Sequence, residues 1–160
     1  MGISGNSDTS AGLSAAGMKF TLVASRYNSD IVEQLLHGAM TTLEHHGAGT
    51  DSIELVRVPG AFELPLACQR IASLQRSDAI IAIGAVVRGD TPHFDYVAGN
   101  CARGLADVAL KFDLPVVFGV LTVDTQEQAL ARAGDNPQNK GVEAALTAIE
   151  MVSMLADLSR

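Results

Sequence analysis

AIIAIGAVVRGDTPH, residues 79–93, decides how the rest of the chain is read. Ala79 to Val87 is apolar and β-branched at odd and even positions alike, the pattern of a strand covered on both faces. It runs into the polar turn Arg88-Gly89-Asp90, and Thr91-Pro92 then reads as a helix start, with Thr91 as N-cap and Pro92 in the first turn. A buried strand leading straight into a helix is half of a βαβ unit.

Working outward, the same alternation recurs. A β-type run begins at Phe20 and ends near Ala24, followed by the polar turn Ser25 to Asn28. A helix is expected from Asp30, with Glu33 completing a capping box, and Ile31, Leu35, Leu36, Ala39 and Leu43 form its apolar face. Ser52 to Val58 is the second strand, stopped by Pro59-Gly60. Phe62, Leu66, Ile71 and Leu74 mark the buried stripe of a second helix. After Pro92 the stripe is Phe94, Val97, Cys101, Leu105 and Val108. Pro115 to Leu121 is the fourth strand, followed by a short helix over 126–133 and a long one over 140–158 whose stripe is Val142, Ala145, Leu146, Ile149 and Val152. Strands alternating with helices call for right-handed crossovers and a parallel sheet. We therefore expect a three-layer α/β sandwich: one four-stranded sheet with helices on both faces, spanning residues 18–160 as a single domain. Residues 1–17, rich in Gly, Ser and Ala and without Lys or Arg, read as a flexible tail and not as a secretion signal.

Composition narrows the function. The 160 residues are 48% hydrophobic, and a formal charge of −7 argues against binding a nucleic-acid backbone. No apolar run approaches the roughly 20 residues that span a bilayer, so neither membrane nor nucleic acid is an expected partner. Cys68 and Cys101 lack metal-ligand spacing, and buried thiols in a reducing, cytoplasmic setting are the plain reading. No metal and no cofactor is expected: no GxGxxG follows the first strand, and there is no Walker loop or nucleophile elbow.

Ligands of such sheets bind beyond the carboxyl ends of the strands. Those ends carry Tyr27-Asn28, Pro59 to Glu63, Arg88 to His93 and the turn after Leu121. A helix start after a glycine turn suits a phosphate. His93, in its first turn, either packs as a cap or exchanges protons near neutral pH, and its place favours the second. Arg132 and Lys140 flank a polar break and either grip an anion or complement helix termini. Glu63 either binds hydroxyls or caps its helix. Tyr27 either stacks on a planar ring or fills a turn. Arg88 ranks below Arg132 as an anion ligand, with ion pairing as its plain alternative.

Six stretches in register carry a resemblance over the chain from Lys19 onward. They are Arg26-Tyr-Asn28, Gly60-Ala-Phe-Glu-Leu-Pro65, Arg88 to Val97, Phe118-Gly-Val-Leu-Thr122, Arg132-Ala-Gly134 and Asn139-Lys-Gly141. In this order they resemble the lumazine synthases, enzymes of flavodoxin-like fold that act at the penultimate step of riboflavin biosynthesis. The resemblance implies two small-molecule substrates, a ribitylamino-uracil and a butanone phosphate, joined without cofactor. It implies that Tyr27 stacks on the pyrimidine and Asn28 lines the site. Ala61, Phe62 and Glu63 would meet the ribityl chain, and Ala85, Val86 and Val87 would hold the ring edge through backbone groups. Asp90, Thr91, Arg132 and Lys140 would bind the phosphate, His93 would move protons, and Phe118 would reach into an adjacent subunit's site. It further implies a homo-oligomer with shared sites, either a pentamer, a decamer or an icosahedral shell (the short break between Arg132 and Lys140 resembles the shell-formers), with riboflavin synthase as a companion. Two departures stand out. Tyr27 replaces a Phe or Trp, and Asp90 puts a carboxylate beside the phosphate, which requires its N–H to face the anion and its side chain to turn away. The competing readings are a non-catalytic flavin or phosphometabolite sensor of the same fold, and a shell protein without activity or a paralogue acting on a related substrate.

Overall fold

A computed structural model describes residues 12–160. β1 (Phe20–Ser25), β2 (Ile53–Val58), β3 (Ala79–Val87) and β4 (Val116–Val123) form one parallel sheet in the order β2-β1-β3-β4. The apolar runs account for that order. β1 is buried throughout and β3 at every position but its last, so these two lie inside the sheet. β2 carries Glu54 and Arg57 and takes an edge, where charge deters strand addition.

Alternation along the strands divides the core. Phe20, Leu22, Ala24, Ile81 and Ile83 face α1 (Ser29–His45), α4 (Gln126–Ala133) and α5 (Lys140–Leu158). Val23, Ile80, Ala82 and Val120 face α2 (Leu64–Ser73) and α3 (His93–Phe112). The three-layer flavodoxin-like arrangement expected from the sequence is thus the one observed. Of the tail expected over 1–17, residues 1–11 lie outside the described part. Ala15 is fully buried, and its N–H donates to the His46 carbonyl at 2.8 Å.

Local expectations needed correction in four places. α1 begins at Ser29, not Asp30, and Glu33 makes no capping box; it pairs with Arg57 on β2, whose guanidinium holds the Glu33 carboxyl below its ordinary range. α3 begins at His93, because Pro92, with ψ near 2°, occupies the cap position expected for Thr91. α2 buries Leu64, Cys68, Ile71 and Ala72, leaving Phe62, Leu66 and Leu74 more than half exposed. Both stripes fit helical spacing, and periodicity alone cannot choose between two apolar faces. In α5 the buried stripe is Gly141, Ala144, Ala145, Ala148 and Ile149, with Val142 and Leu146 half-buried at its margin. Small residues form that stripe because α5 packs closely on α1.

Cys68 and Cys101 are free thiols buried between the sheet, α2 and α3. Burial pushes Cys68 up to about 12 and Cys101 up to about 11, from an ordinary value of 9.0. A thiol whose value rises on folding adds stability that is complete below the unfolded value. That stability is lost as pH climbs through the folded values. We expect the urea midpoint to fall as pH rises above 9, and a thiol reagent at pH 9 to label only unfolded chain. Immediate labelling of the native protein would contradict this.

Candidate active site

The strand order reverses direction between β1 and β3, and in open α/β sheets ligands bind in the crevice beyond the carboxyl ends of such a pair. β1 stops pairing at Ala24–Ile83, while β3 runs on to Val87. Residues 80 and 88 donate towards the β4 side, to Pro115 and Val123. By parallel-strand alternation, the backbone of residues 85 and 87 faces the opposite side. There the Ala85 carbonyl accepts from Asn28 Nδ2 at 2.9 Å, and Val87 lies beyond the stretch of β3 that pairs with β1. Asn28 adopts the left-handed conformation (φ 59°, ψ 46°), which turns the chain into α1 and aims its amide at β3.

The loop after β1 is zipped to that after β2: the Arg26 and Tyr27 N–H groups both donate to the Pro59 carbonyl at 3.0 Å. This lays the Tyr27 ring across Gly60, where a Cβ would stand 2.6 Å from Tyr27 Cδ2. Tyr27 is 66% exposed, so its ring is open to a ligand. Gly60→Ala must displace that ring, and we expect it to weaken binding of a planar ligand several-fold, measurable by fluorescence titration. Unchanged affinity would deny the ring its stacking role. Glu63 Oε2 accepts from the Gly60 N–H at 3.0 Å, so it does cap its own turn, while its side chain stays exposed to solvent. Phe62 is exposed beside it; Ala61, Ala85 and Val86 are buried and offer a ligand only backbone groups.

The corner after β3 differs from the expected row of free helix amides. The His93 N–H points at Thr91 Oγ1 (3.4 Å), and that of Asp95 donates to the Pro92 carbonyl (3.0 Å). Among the described residues, the Gly89, Asp90 and Thr91 N–H groups have no partner. Any anion there is therefore met by the loop more than by the helix. His93 stands exposed on the rim at the first position of α3. Arg88 follows its plain alternative: its guanidinium lies 2.9 Å from Asp124, 3.4 Å from Asp95 and 4.2 Å from the Phe94 ring centre.

Phe118, Arg132 and Lys140 are brought together elsewhere. They line a separate cleft of about 460 Å³ on the outer edge of β4, with Thr122, Glu143 and Thr147. Neither His93 nor the loop before it lines this cleft. Arg132 donates to the Gln128 carbonyl at 2.9 Å, and Lys140 lies 2.6 Å from Glu143. Glu143 was not singled out from the sequence, although its spacing three residues from Lys140 on one helix would have found it. One chain thus holds an imidazole and an aromatic at one margin, and two cations and an exposed Phe at the other.

No described helix is long and apolar enough to cross a membrane. The family model for 6,7-dimethyl-8-ribityllumazine synthase matches residues 17–156.

Proposed function

Because the chain belongs to the 6,7-dimethyl-8-ribityllumazine synthase family, we propose that it condenses 5-amino-6-(D-ribitylamino)uracil with 3,4-dihydroxy-2-butanone 4-phosphate, releasing phosphate and water. The observation that carries this reading is the set of residues gathered at the carboxyl edge where the strand order reverses between β1 and β3. A tyrosine ring laid over Gly60 and the part of β3 that runs beyond its pairing with β1 share that carboxyl edge, a fit for a flat heterocycle with a hydrogen-bonding edge.

In this reading Tyr27 stacks on the pyrimidine while Asn28 and the backbone of residues 85–87 hold its edge. Ala61 and Phe62 border the ribityl chain, and Glu63 accepts from its hydroxyls. The loop amides at Asp90 and Thr91 meet the phosphate together with Arg132 and Lys140, and the Asp90 carboxylate turns to solvent. Forming the imine between the 5-amino group and the ketone expels water. Loss of the phosphate then takes a proton from the neighbouring carbon, and attack of the ribitylamino nitrogen on the remaining carbonyl closes the second ring and expels a second water, with His93 carrying the protons.

Arg132, Lys140 and Phe118 lie across the sheet from Tyr27 and Asn28, so the site becomes whole when the β4 edge of one copy meets the imidazole corner of another. Exposure of Tyr27, Phe62, Leu66, Tyr96 and Phe118 on a single chain supports such an assembly. A cyclic homo-oligomer satisfies head-to-tail contact between two different surfaces, and a cytoplasmic pentamer or a shell built from pentamers is the form we propose. Mixing the two substrates and recording lumazine fluorescence with phosphate release tests the activity. Product and phosphate should appear together. Binding of both compounds without product would leave a sensor in place of an enzyme.

A further inference from the structure

Asn139 is a buried asparagine, 6% exposed, standing between the helix that carries Arg132 and the helix that begins with Lys140. Its side-chain amide is spent at both ends. Nδ2 donates to the Ala133 and Gly134 carbonyls at 2.7 and 3.1 Å, the last turn of α4 directly after Arg132. Oδ1 accepts from the Gly141 and Val142 N–H groups at 2.8 and 3.2 Å, the first turn of α5. Capping α5 requires only the oxygen. The nitrogen ties the end of one cation-bearing helix to the start of the other. α1 closes the slot from behind, since a Cβ on Gly38 would lie 2.6 Å from Asn139 Oδ1, and one on Gly141 would lie 1.9 Å from the Leu35 carbonyl.

On the reading that Arg132 and Lys140 grip the substrate phosphate, we propose that Asn139 is their positioning residue. Its amide sets the separation of the two cations and so the affinity for a phosphate monoester, without touching substrate. The donor end is what distinguishes this from plain helix capping. Asn139→Asp keeps an acceptor for the α5 amides and removes the donor to α4. Gly38→Ala leaves Asn139 intact and improves helix propensity, yet pushes a methyl group onto the amide.

The test is titration of wild type and both variants with inorganic phosphate by calorimetry, beside steady-state kinetics with the two substrates. Displacement of paired ligands by a fraction of an ångström is expected to weaken phosphate binding about tenfold and to raise KM for the butanone phosphate in step. KM for the pyrimidine and the far-UV circular dichroism should stay at wild-type values. Variants that are folded and bind phosphate like wild type overturn the proposal, as does an equal rise in both KM values. If Asn139→Asp does not fold, Gly38→Ala decides alone. A wild type that binds phosphate but makes no lumazine overturns the enzymatic reading, while phosphate affinity still judges Asn139. A wild type that binds no phosphate overturns both.

Discussion

Replacing His93 by alanine is expected to lower kcat about a hundredfold and to leave turnover readily measurable. A positioned proton carrier contributes roughly two to four powers of ten. Three proton movements are shared among imine formation, elimination and ring closure, so the imidazole's help is spread over several steps. The lower figure is therefore the appropriate one. What remains is the advantage of holding two reactants side by side, which lowers a bimolecular barrier by about 7–11 kcal/mol. Stopped-flow or steady-state rates at saturating substrate provide the measurement. Wild-type kcat in His93→Ala would remove the imidazole from the chemistry, whereas complete loss would mean that positioning contributes nothing.

Arg132→Ala carries the other large effect, and it should fall on binding. A guanidinium hydrogen-bonded to a phosphate contributes about 2 kcal/mol, so KM for the butanone phosphate should rise roughly thirtyfold. KM for the pyrimidine should hold within a factor of about two. Arg132 is exposed in the single chain and bonds only to a carbonyl of its own helix, so its loss leaves no buried partner stranded. The variant should fold and melt as wild type does. A rise confined to the pyrimidine KM would place the cation beside the wrong substrate.

The layers of the fold were legible because the strands differ in composition. A run that is apolar on both faces, as in β3, has only one place in a parallel sheet, and β2 with its Glu54 and Arg57 has only an edge. The bounds of α4 and α5 were legible for a local reason, since Thr125 and Asn139 each accept from amides of the turn they begin. The buried face of α2 was not. Phe62-Leu66 and Leu64-Cys68 have the same spacing, and only contact with α3 and the sheet separates them. The start of α1 was hidden because Asn28 spends its amide on Ala85 across the sheet and not on its own helix.

For the site, residue types were readable and their grouping was not. Tyr27 meets Gly60, and Asn28 meets Ala85, through strand order, which follows from the reversal between β1 and β3. Arg132 and Lys140 looked like neighbours of one break, and they are, but nothing in linear order says that this break faces the outer edge of β4, away from His93. Exposed Phe118 carries the same message, because an aromatic left in water at the rim of a charged cleft asks for a second surface.

Two crippled subunits test whether the site is shared. One carries Tyr27→Ala with His93→Ala, the other Arg132→Ala with Lys140→Ala, and each alone should be nearly inactive at low butanone phosphate. Co-refolded in equal amounts, they should assemble at random and restore about a quarter of the wild-type activity, because one junction in about four joins two intact halves. A mixture no more active than the sum of its parts would mean that each chain works within itself, and the account of a site divided between copies would be wrong.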